Sequence, residues 1–335
     1  MRILLIRTDL LGDGILTNTF IKMLKVSINC EINILCNSYN YKAFQYNPNI
    51  TNKYFLYDNK NNSNLSIDQL NHNKNIIKHL KQNTYAFTFV LYRHLSAYSL
   101  LKYVNTAKIF GHRMGPKSLR SRFFCWITSF SKYNYLKYDE TKHWVINLFD
   151  LLNFSFKILN LPIISTIDQN SYFYTPNYNP ENNNLIRDSN TIVINISGKK
   201  NLGKYIPLNL ATDLISDFLK LGKKIIIVAT KEDTEIANNL NSNFSNKLTI
   251  LIETDIFKLS AQLIKYQYFI GPDGGLIHVA SGLGMHCISI FHDQSIPAWH
   301  PWTPNQICVQ AESHKIDDIS SKQVINSFMQ LINRK

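Results

Sequence analysis

The stretch Ile3-Leu4-Leu5-Ile6-Arg7-Thr8-Asp9-Leu10-Leu11-Gly12-Asp13-Gly14 decides how the rest of the chain is read. An unbroken apolar run from Ile3 to Ile6 is the mark of a short buried strand. The polar loop Arg7–Gly14 follows, and Ile15 to Val26 carries Leu16, Phe20, Met23 and Leu24 along one side of a helix. Glu31 to Cys36 is a second strand. Strand, glycine loop, helix and strand open an α/β domain. The loop is no dinucleotide fingerprint, because Ile15 and Leu16 follow Gly14 and the third glycine of G-x-G-x-x-G is missing.

Outward from this start, Tyr85 to Leu91 reads as a strand, Gly111 to Pro116 as a loop and Lys142 to Leu159 as a long helix. Residues 58–76 are polar and rich in Asn, which predicts a loop or a weak helix lead-in. Ser165 to Asn190 has linker composition, with Pro176, Pro180 and many Asn residues. The α/β rhythm restarts at Thr191-Ile192-Val193-Ile194-Asn195-Ile196. A helix from Pro207 to Leu221 follows, with Pro at its start and Gly222 beyond its end. Strands at Lys224–Ala229, Leu248–Ile252 and Tyr268–Ile270 alternate with helices at Thr230–Leu240 and Lys258–Lys265, and Cys287 to Phe291 is expected to close the sheet. The expected organisation is an α/β domain over 1–165, a linker over 166–190, a second α/β domain over 191–320 and a C-terminal helix over 321–335 that packs back on the first. Two such domains facing each other leave a cleft, and ligands of open parallel sheets sit at the carboxyl ends of the strands.

The chain has 335 residues, 45% of them hydrophobic, which suffices for two cores of ordinary size. Asn, at 39 residues, fills the polar quota and loads surface loops. The formal net charge of +13 argues for anionic surroundings: nucleic acid, a phosphate-bearing substrate or an acidic membrane face. No zinc-finger spacing, RNP-like strand or basic helix-turn-helix supports the nucleic-acid class. The five cysteines (Cys30, Cys36, Cys125, Cys287 and Cys308) match neither a CxxC metal site nor a disulfide scaffold, and they read as small buried hydrophobes in a reducing cytosol. No signal peptide opens the chain and no apolar run reaches 18 residues, so a cytoplasmic protein is expected. The missing export signal argues against a periplasmic-type binding protein, while a cytosolic, non-catalytic sugar-nucleotide binder stays open.

Three strand-end loops carry chemistry. Gly271-Pro272-Asp273-Gly274-Gly275-Leu276-Ile277-His278 follows a strand and opens a helix of small residues. Its glycines allow a ligand close to the backbone, and a helix N-terminus offers free N–H groups to a phosphate. Asp273 suits a hydroxyl better than a phosphate, which it would repel. His278 either holds the loop or touches phosphate. The second loop, Ser197-Gly198-Lys199-Lys200-Asn201-Leu202-Gly203-Lys204, has the lysines and glycines for a diphosphate but not the P-loop spacing. In the first loop, Asp13 is either a helix cap or a carboxylate able to take a proton from a hydroxyl. Arg7 either binds an anion or pairs with Asp9.

Taken in order, Arg7-x4-Gly12-Asp13, Lys204-x2-Pro207, a Glu after the next strand, Phe269-Ile270-Gly271-Pro272-Asp273-Gly274-Gly275-x2-His278-x-Ala280 and Phe291-x5-Pro297-x-Trp299-x-Pro301 resemble glycosyltransferase family 9, the bacterial lipopolysaccharide heptosyltransferases. The resemblance runs from residue 1 to about 304 and is weakest between 40 and 180. It implies a GT-B fold, two Rossmann-like α/β/α domains with the acceptor on the first and a nucleotide sugar on the second. It also implies inverting transfer of heptose from ADP-heptose to a Kdo or heptose hydroxyl of the lipopolysaccharide inner core, with no tightly bound cofactor and no metal. By this resemblance Asp13 is the catalytic base, Lys204 contacts the donor diphosphate, and Asp273, Gly274, Gly275 and His278 line the donor. Glu232, or Glu235 close by, meets the ribose. Ser197, Lys199, Lys200, Arg7, Arg113 and Arg120 are further candidates for phosphate or acceptor contacts. Two positions depart from the family: Ile206 stands where its Lys-x-Trp-Pro has Trp, and Gly274 where it carries a small hydroxyl residue. These departures bear on donor choice, so a related glycosyltransferase using another nucleotide sugar is the main alternative. An inactive copy is a further one.

The basic run Arg113, Lys117, Arg120 and Arg122, followed by Phe123, Phe124 and Trp126, suits an anionic glycolipid at the inner face of the cytoplasmic membrane, or is a solvated helix face. No stable protein partner and no nucleic acid are expected.

Overall fold

Ile3, Leu4, Leu5 and Ile6 are wholly buried because their strand lies inside a sheet. In the computed structural model, which describes residues 1–58, 65–113, 132–182, 185–292, 296–313 and 315–334, the chain divides into two units, Met1–Asp168 and Gln169–Lys335. The first runs β1 (Arg2–Arg7), α1 (Leu11–Ser27), β2 (Glu31–Asn37), β3 (Asn52–Leu56), α2 (Ile67–Gln82), β4 (Thr84–Val90), α3 (Leu95–Ser99), β5 (Asn105–His112), β6 (Tyr133–Leu136) and α4 (Trp144–Leu159). Its six strands are all parallel, in the order β3-β2-β1-β4-β5-β6. Ile6 pairs with Leu35 on one side and Val90 on the other. A strand covered on both faces can be apolar at every position, which is why no alternation appears in Ile3–Ile6.

The second unit runs β7 (Asp188–Asn195), α5 (Leu208–Lys220), β8 (Lys224–Ala229), α6 (Thr234–Asn243), β9 (Thr249–Ile252), α7 (Ile256–Leu263), β10 (Tyr266–Pro272), α8 (Gly275–Gly282), β11 (His286–Phe291), α9 (Ile296–Trp299), β12 (Gln306–Gln310) and α10 (Ser321–Ile332). Its strands are also all parallel, in the order β12-β11-β10-β7-β8-β9. Leu210, Leu214, Ile215 and Phe218 are the buried stripe of α5, as their helical spacing predicts.

In both sheets the chain winds to one side, then crosses and winds to the other. The turning points fall between β1 and β4 and between β7 and β10. Adjacent loops at such a point leave opposite faces of the sheet, which opens a crevice at the strands' carboxyl ends.

Four expectations need correction. Gly12, Asp13 and Gly14 belong to the first turn of α1, not to a loop. Gly14 is a packing glycine: a Cβ there would lie 2.7 Å from Ala43 Cβ, where α1 meets the turn Tyr41–Ala43. β11 does not close the second sheet, because β12 pairs along its outer edge. The presumed linker is largely part of the second unit, with Tyr172, Phe173, Tyr174 and Tyr178 buried. There the Phe173 N–H donates to Gly282 O (2.9 Å) and the Ser171 and Ser281 hydroxyls bond at 2.7 Å. Finally, the C-terminal helix α10 packs on α5 and on the β11–β12 side of its own unit. Among the described residues, no helix is long and apolar enough to cross a membrane.

Candidate active site

Each turning point is bridged by a cation. In the first unit it is Arg7, the last residue of β1, whose side chain is fully buried. Its Nε donates to Asp9 Oδ1 and its Nη2 lies against Asp9 Oδ2, both at 2.7 Å. Nη2 is also 3.3 Å from Asp13 Oδ1, and Nη1 donates to Leu91 O across the crevice at 2.6 Å. The guanidinium carbon sits 4.6 Å from the centre of the Trp144 ring. Asn40 and Asn37 hold the loop from below: Asn40 Nδ2 donates to Arg7 O, and Asn37 Nδ2 donates to the carbonyls of Thr8 and Asp9. Of the two roles expected for Arg7, pairing with Asp9 is the one found, and the side chain offers no surface to an outside anion.

Asp13 stands in the first turn of α1, where a carboxylate also suits the helix dipole. Its Oδ2 accepts the Leu10 N–H at 3.3 Å, so it does cap the helix. Its side chain remains 13% exposed, against 9% for Asp9, which makes it the carboxylate of the pair with more open surface. Burial pushes the Asp9 carboxyl up, to about 7, over the opposing pull of Arg7, and the Asp13 charge adds to the rise. His112, at the end of β5, is held down to about 3, first by burial and then by the charge of Arg93, so it is neutral. Arg93, just past β4, lies 3.9 Å over the Tyr138 ring and pairs with Glu140 at 2.9 Å.

In the second unit the bridge is Lys204 Nζ to Asp273 Oδ2, at 2.5 Å, linking the loop after β7 to the loop after β10. Asp273 is nearly buried and its N–H donates to Ile290 O, while the Lys204 side chain is 31% exposed. Gly198 must be glycine, since a Cβ there would overlap the Lys204 carbonyl oxygen. Gly203 has φ +66°, the left-handed region that favours glycine. These two positions fold the lysine loop into a tight hairpin closed by the Lys204 N–H donating to Lys199 O (3.1 Å).

A second ion pair anchors that hairpin. Lys200 Nζ contacts Asp233 Oδ1 at 2.7 Å, and Ser197 Oγ donates to Asp233 Oδ2 at 2.6 Å. The Thr230 hydroxyl also donates to Asp233, and its N–H donates to Ser197 Oγ. Burial raises the Asp233 carboxyl, but the bonds from Lys200, Ser197 and Thr230 together outweigh it and hold it below the usual range. Ser197 and Lys200, expected as phosphate contacts, are thus engaged in fixing the loop, while Lys199 is exposed. Glu232 and Glu235 are both exposed. The structured acid of that run is Asp233, which spacing alone could not single out among three acids in four residues. A cavity of about 280 Å³ lies beside this anchor, walled by Ile196, Tyr205, Ile206, Leu208 and Ile236 among others.

Gly274 and Gly275 open α8, and the N-cap residue Gly274 has no side chain with which to cap it. The first N–H groups of a helix lack intrahelical acceptors and attract anions. A Cβ on Gly274 would meet nothing within 4 Å, and its φ of 166° is ordinary extended backbone. His278, in the same helix, is buried. The structure therefore brings Lys204, Asp273, Gly274, Gly275 and His278 together at one crevice and Arg7, Asp9 and Asp13 at the other. Arg113 is exposed just beyond β5, and Arg120, Lys117, Arg122 and the aromatic run 123–126 lie outside the described residues. Among the described residues, no group of three or more His, Cys, Asp or Glu side chains is placed to hold a metal ion.

Two parallel α/β units, each with charged groups at its turning point, have the architecture of the GT-B fold. Residues 74–327 match the glycosyltransferase family 9 (heptosyltransferase) pattern, and the chain belongs to that family. The fold is shared with the Escherichia coli heptosyltransferase WaaC solved with ADP: 13% identity, TM-score 0.79, 99% of this chain and 100% of that one covered. A family 9 glycosyltransferase from Veillonella parvula gives 16% identity and TM-score 0.79, over 100% of this chain and 97% of that one. The E. coli ADP-heptose lipopolysaccharide heptosyltransferase II gives 13% and 0.71, over 99% and 98%. Comparison with curated protein sequences finds no match.

Proposed function

We infer that this glycosyltransferase is inverting and moves heptose from ADP-heptose to a Kdo or heptose hydroxyl of the lipopolysaccharide inner core. The observation that carries this reading is the Lys204–Asp273 bridge beside the glycine-opened N-terminus of α8. A cation and the first N–H groups of a helix meet there, which is what a departing nucleoside diphosphate needs. WaaC has been solved with ADP and with ADP-2-deoxy-2-fluoro heptose, which supports an adenine nucleotide as donor.

In this reading Asp13 accepts the proton of the acceptor hydroxyl as that oxygen attacks the anomeric carbon. The bond from that carbon to the diphosphate oxygen breaks on the opposite side, which inverts the configuration. Lys204 and the Gly274 and Gly275 N–H groups take up the charge that grows on the diphosphate, and one such donor is worth roughly 3 kcal/mol. Glu232 meets the ribose and His278 steadies the glycine turn. The net charge of +13 and the exposed Arg113 suit an acceptor that carries phosphates and carboxylates at the inner face of the cytoplasmic membrane.

A second reading, a related glycosyltransferase with a different nucleotide sugar, draws on two observations. The space over Gly274 is open, and Ile206 lines a cavity at a position where the family carries Trp. Calorimetric titration with ADP, GDP, UDP and ADP-heptose separates the two. Selective binding of ADP and ADP-heptose, weakened by Lys204→Ala and retained by Asp13→Ala, supports the first. Tighter UDP or GDP binding moves the assignment to the second. A folded sample that binds none of them sinks both. Inversion is read from the anomeric configuration of the product by NMR.

A further inference from the structure

We propose that Asp9 is a positioning residue for the transfer reaction, which through Arg7 fixes one oxygen of Asp13 and offsets the guanidinium's charge. This rests on Asp13 being the base, as inferred above. Arg7 presents its fork to Asp9 and only one nitrogen to Asp13, at 2.7 and 3.3 Å. A buried guanidinium facing Asp13 alone would hold that carboxylate in its ionised form and make it a poor proton acceptor. Asp9 takes the shorter contacts, and when both acids are ionised the cluster carries one net negative charge, which favours uptake of a proton. When Asp13 takes the acceptor's proton, Arg7 is still paired with Asp9 and no unmatched cation is left buried.

The ring of groups around Asp13 leaves this balance to the two carboxylates. Arg7 faces it from β1, Asp9 from the loop before α1, Tyr92 from the loop after β4 and Tyr138 from the segment before α4. Burial raises both tyrosines, Tyr138 to about 12, and they stay neutral. His112 is neutral too, and the Arg93 guanidinium lies over the Tyr138 ring. Trp144, stacked on the guanidinium, and Leu91 O, bonded to it, prevent Arg7 from swinging away from either acid.

The test is the pH dependence of kcat for heptose transfer in Asp9→Asn, which keeps the shape of the side chain and removes its charge. The acid limb of the profile is expected to move to lower pH by about one unit or more, with kcat on the plateau falling by about tenfold and the donor KM unchanged. An acid limb at its wild-type position overturns the proposal. Arg7→Lys is the second variant, and serves alone if Asp9→Asn does not fold. It keeps the charge and loses the fork, so kcat is expected to fall at least tenfold with the donor KM unchanged, and wild-type kcat in it also overturns the proposal. Asp13→Asn separates the two levels. If it retains the wild-type rate, the base assignment itself fails; if it is inactive while Asp9→Asn keeps the wild-type profile, only the role of Asp9 fails.

Discussion

Replacing Lys204 by Met is expected to weaken ADP binding through two effects of the same sign. The variant loses the cation that, under the proposed function, faces the diphosphate, and it uncovers Asp273, whose carboxylate is only 8% exposed and sits at the mouth of the same crevice. Two unit charges 4 Å apart at an effective dielectric of about 20 interact by about 4 kcal/mol. Solvent reaches the Lys204 side chain, which is 31% exposed, so the effect is discounted to about 3 kcal/mol, or more than 100-fold in Kd. The charge-removing partner variant isolates the second effect. Asp273→Asn alone should bind ADP as well as wild type or better, since Lys204 is then released to the ligand. Added to Lys204→Met, it should restore at least about tenfold, because the repulsive carboxylate is gone. Calorimetry with ADP on the four proteins gives the whole cycle, and urea melts check that each is folded. Binding of ADP by Lys204→Met within threefold of wild type would refute the reasoning. So would a further loss on adding Asp273→Asn, because Asp273 would then be contributing an attractive contact.

Gly198→Ala should cost at least about 2 kcal/mol in denaturant melts or abolish nucleotide binding, because its Cβ overlaps the Lys204 carbonyl and the lysine hairpin must open. Gly274→Ser should leave stability within about 0.5 kcal/mol of wild type, since the added Cβ meets no atom within 4 Å; a larger loss would mean that the crevice is narrower than described. For His112 the sign follows from its low folded value of about 3 against about 6.5 when unfolded. Between those values the unfolded chain binds the extra proton, so this residue removes stability as the pH falls and has no such effect above about 6.5. His112→Gln should therefore lose less stability than wild type on going from pH 7 to pH 5, by up to about 1.4 kcal/mol per pH unit below 6.5. Urea melts at the two pH values read that difference, and equal slopes would exclude it.

What could be read from the residues follows how completely each segment is buried. Ile3–Ile6, Thr191–Ile196 and Lys224–Ala229 lie inside their sheets, and their apolar runs show it directly. The strands at or toward the edges are harder to see. β3 (Asn52–Leu56), β6 (Tyr133–Leu136) and β12 (Gln306–Gln310) are mostly half-buried, so polar and aromatic residues satisfy them and no apolar run exceeds three residues. Tyr172, Phe173 and Tyr174 are core residues set among Asn and Pro, and composition hides them. At the site, Lys204, Asp273 and the glycine turn were legible because strand, loop and helix fix where a strand-end residue must lie. The anchor at Asp233 was not, since its value comes from a serine 36 positions earlier and a lysine 33 positions earlier that only the fold brings to it.

The two crevices share a plan and differ in charge balance, which under the proposed function suits them to different chemistry. In the first, a fully buried arginine faces two acids, Asp9 and Asp13, and with both ionised the excess negative charge favours uptake of a proton. In the second, a partly exposed lysine is matched by one carboxylate, and the N-terminus of α8 adds positive potential beside it. Lysine is suited to that place: its ammonium is a mobile point charge that can move from Asp273 to a phosphate, whereas a forked and stacked guanidinium such as Arg7 is fixed by its partners. Exchanging the two residue types tests this division. Lys204→Arg should hold Asp273 more firmly and bind ADP less tightly than wild type, despite the same formal charge, and tighter ADP binding by this variant would show that charge alone governs the second crevice.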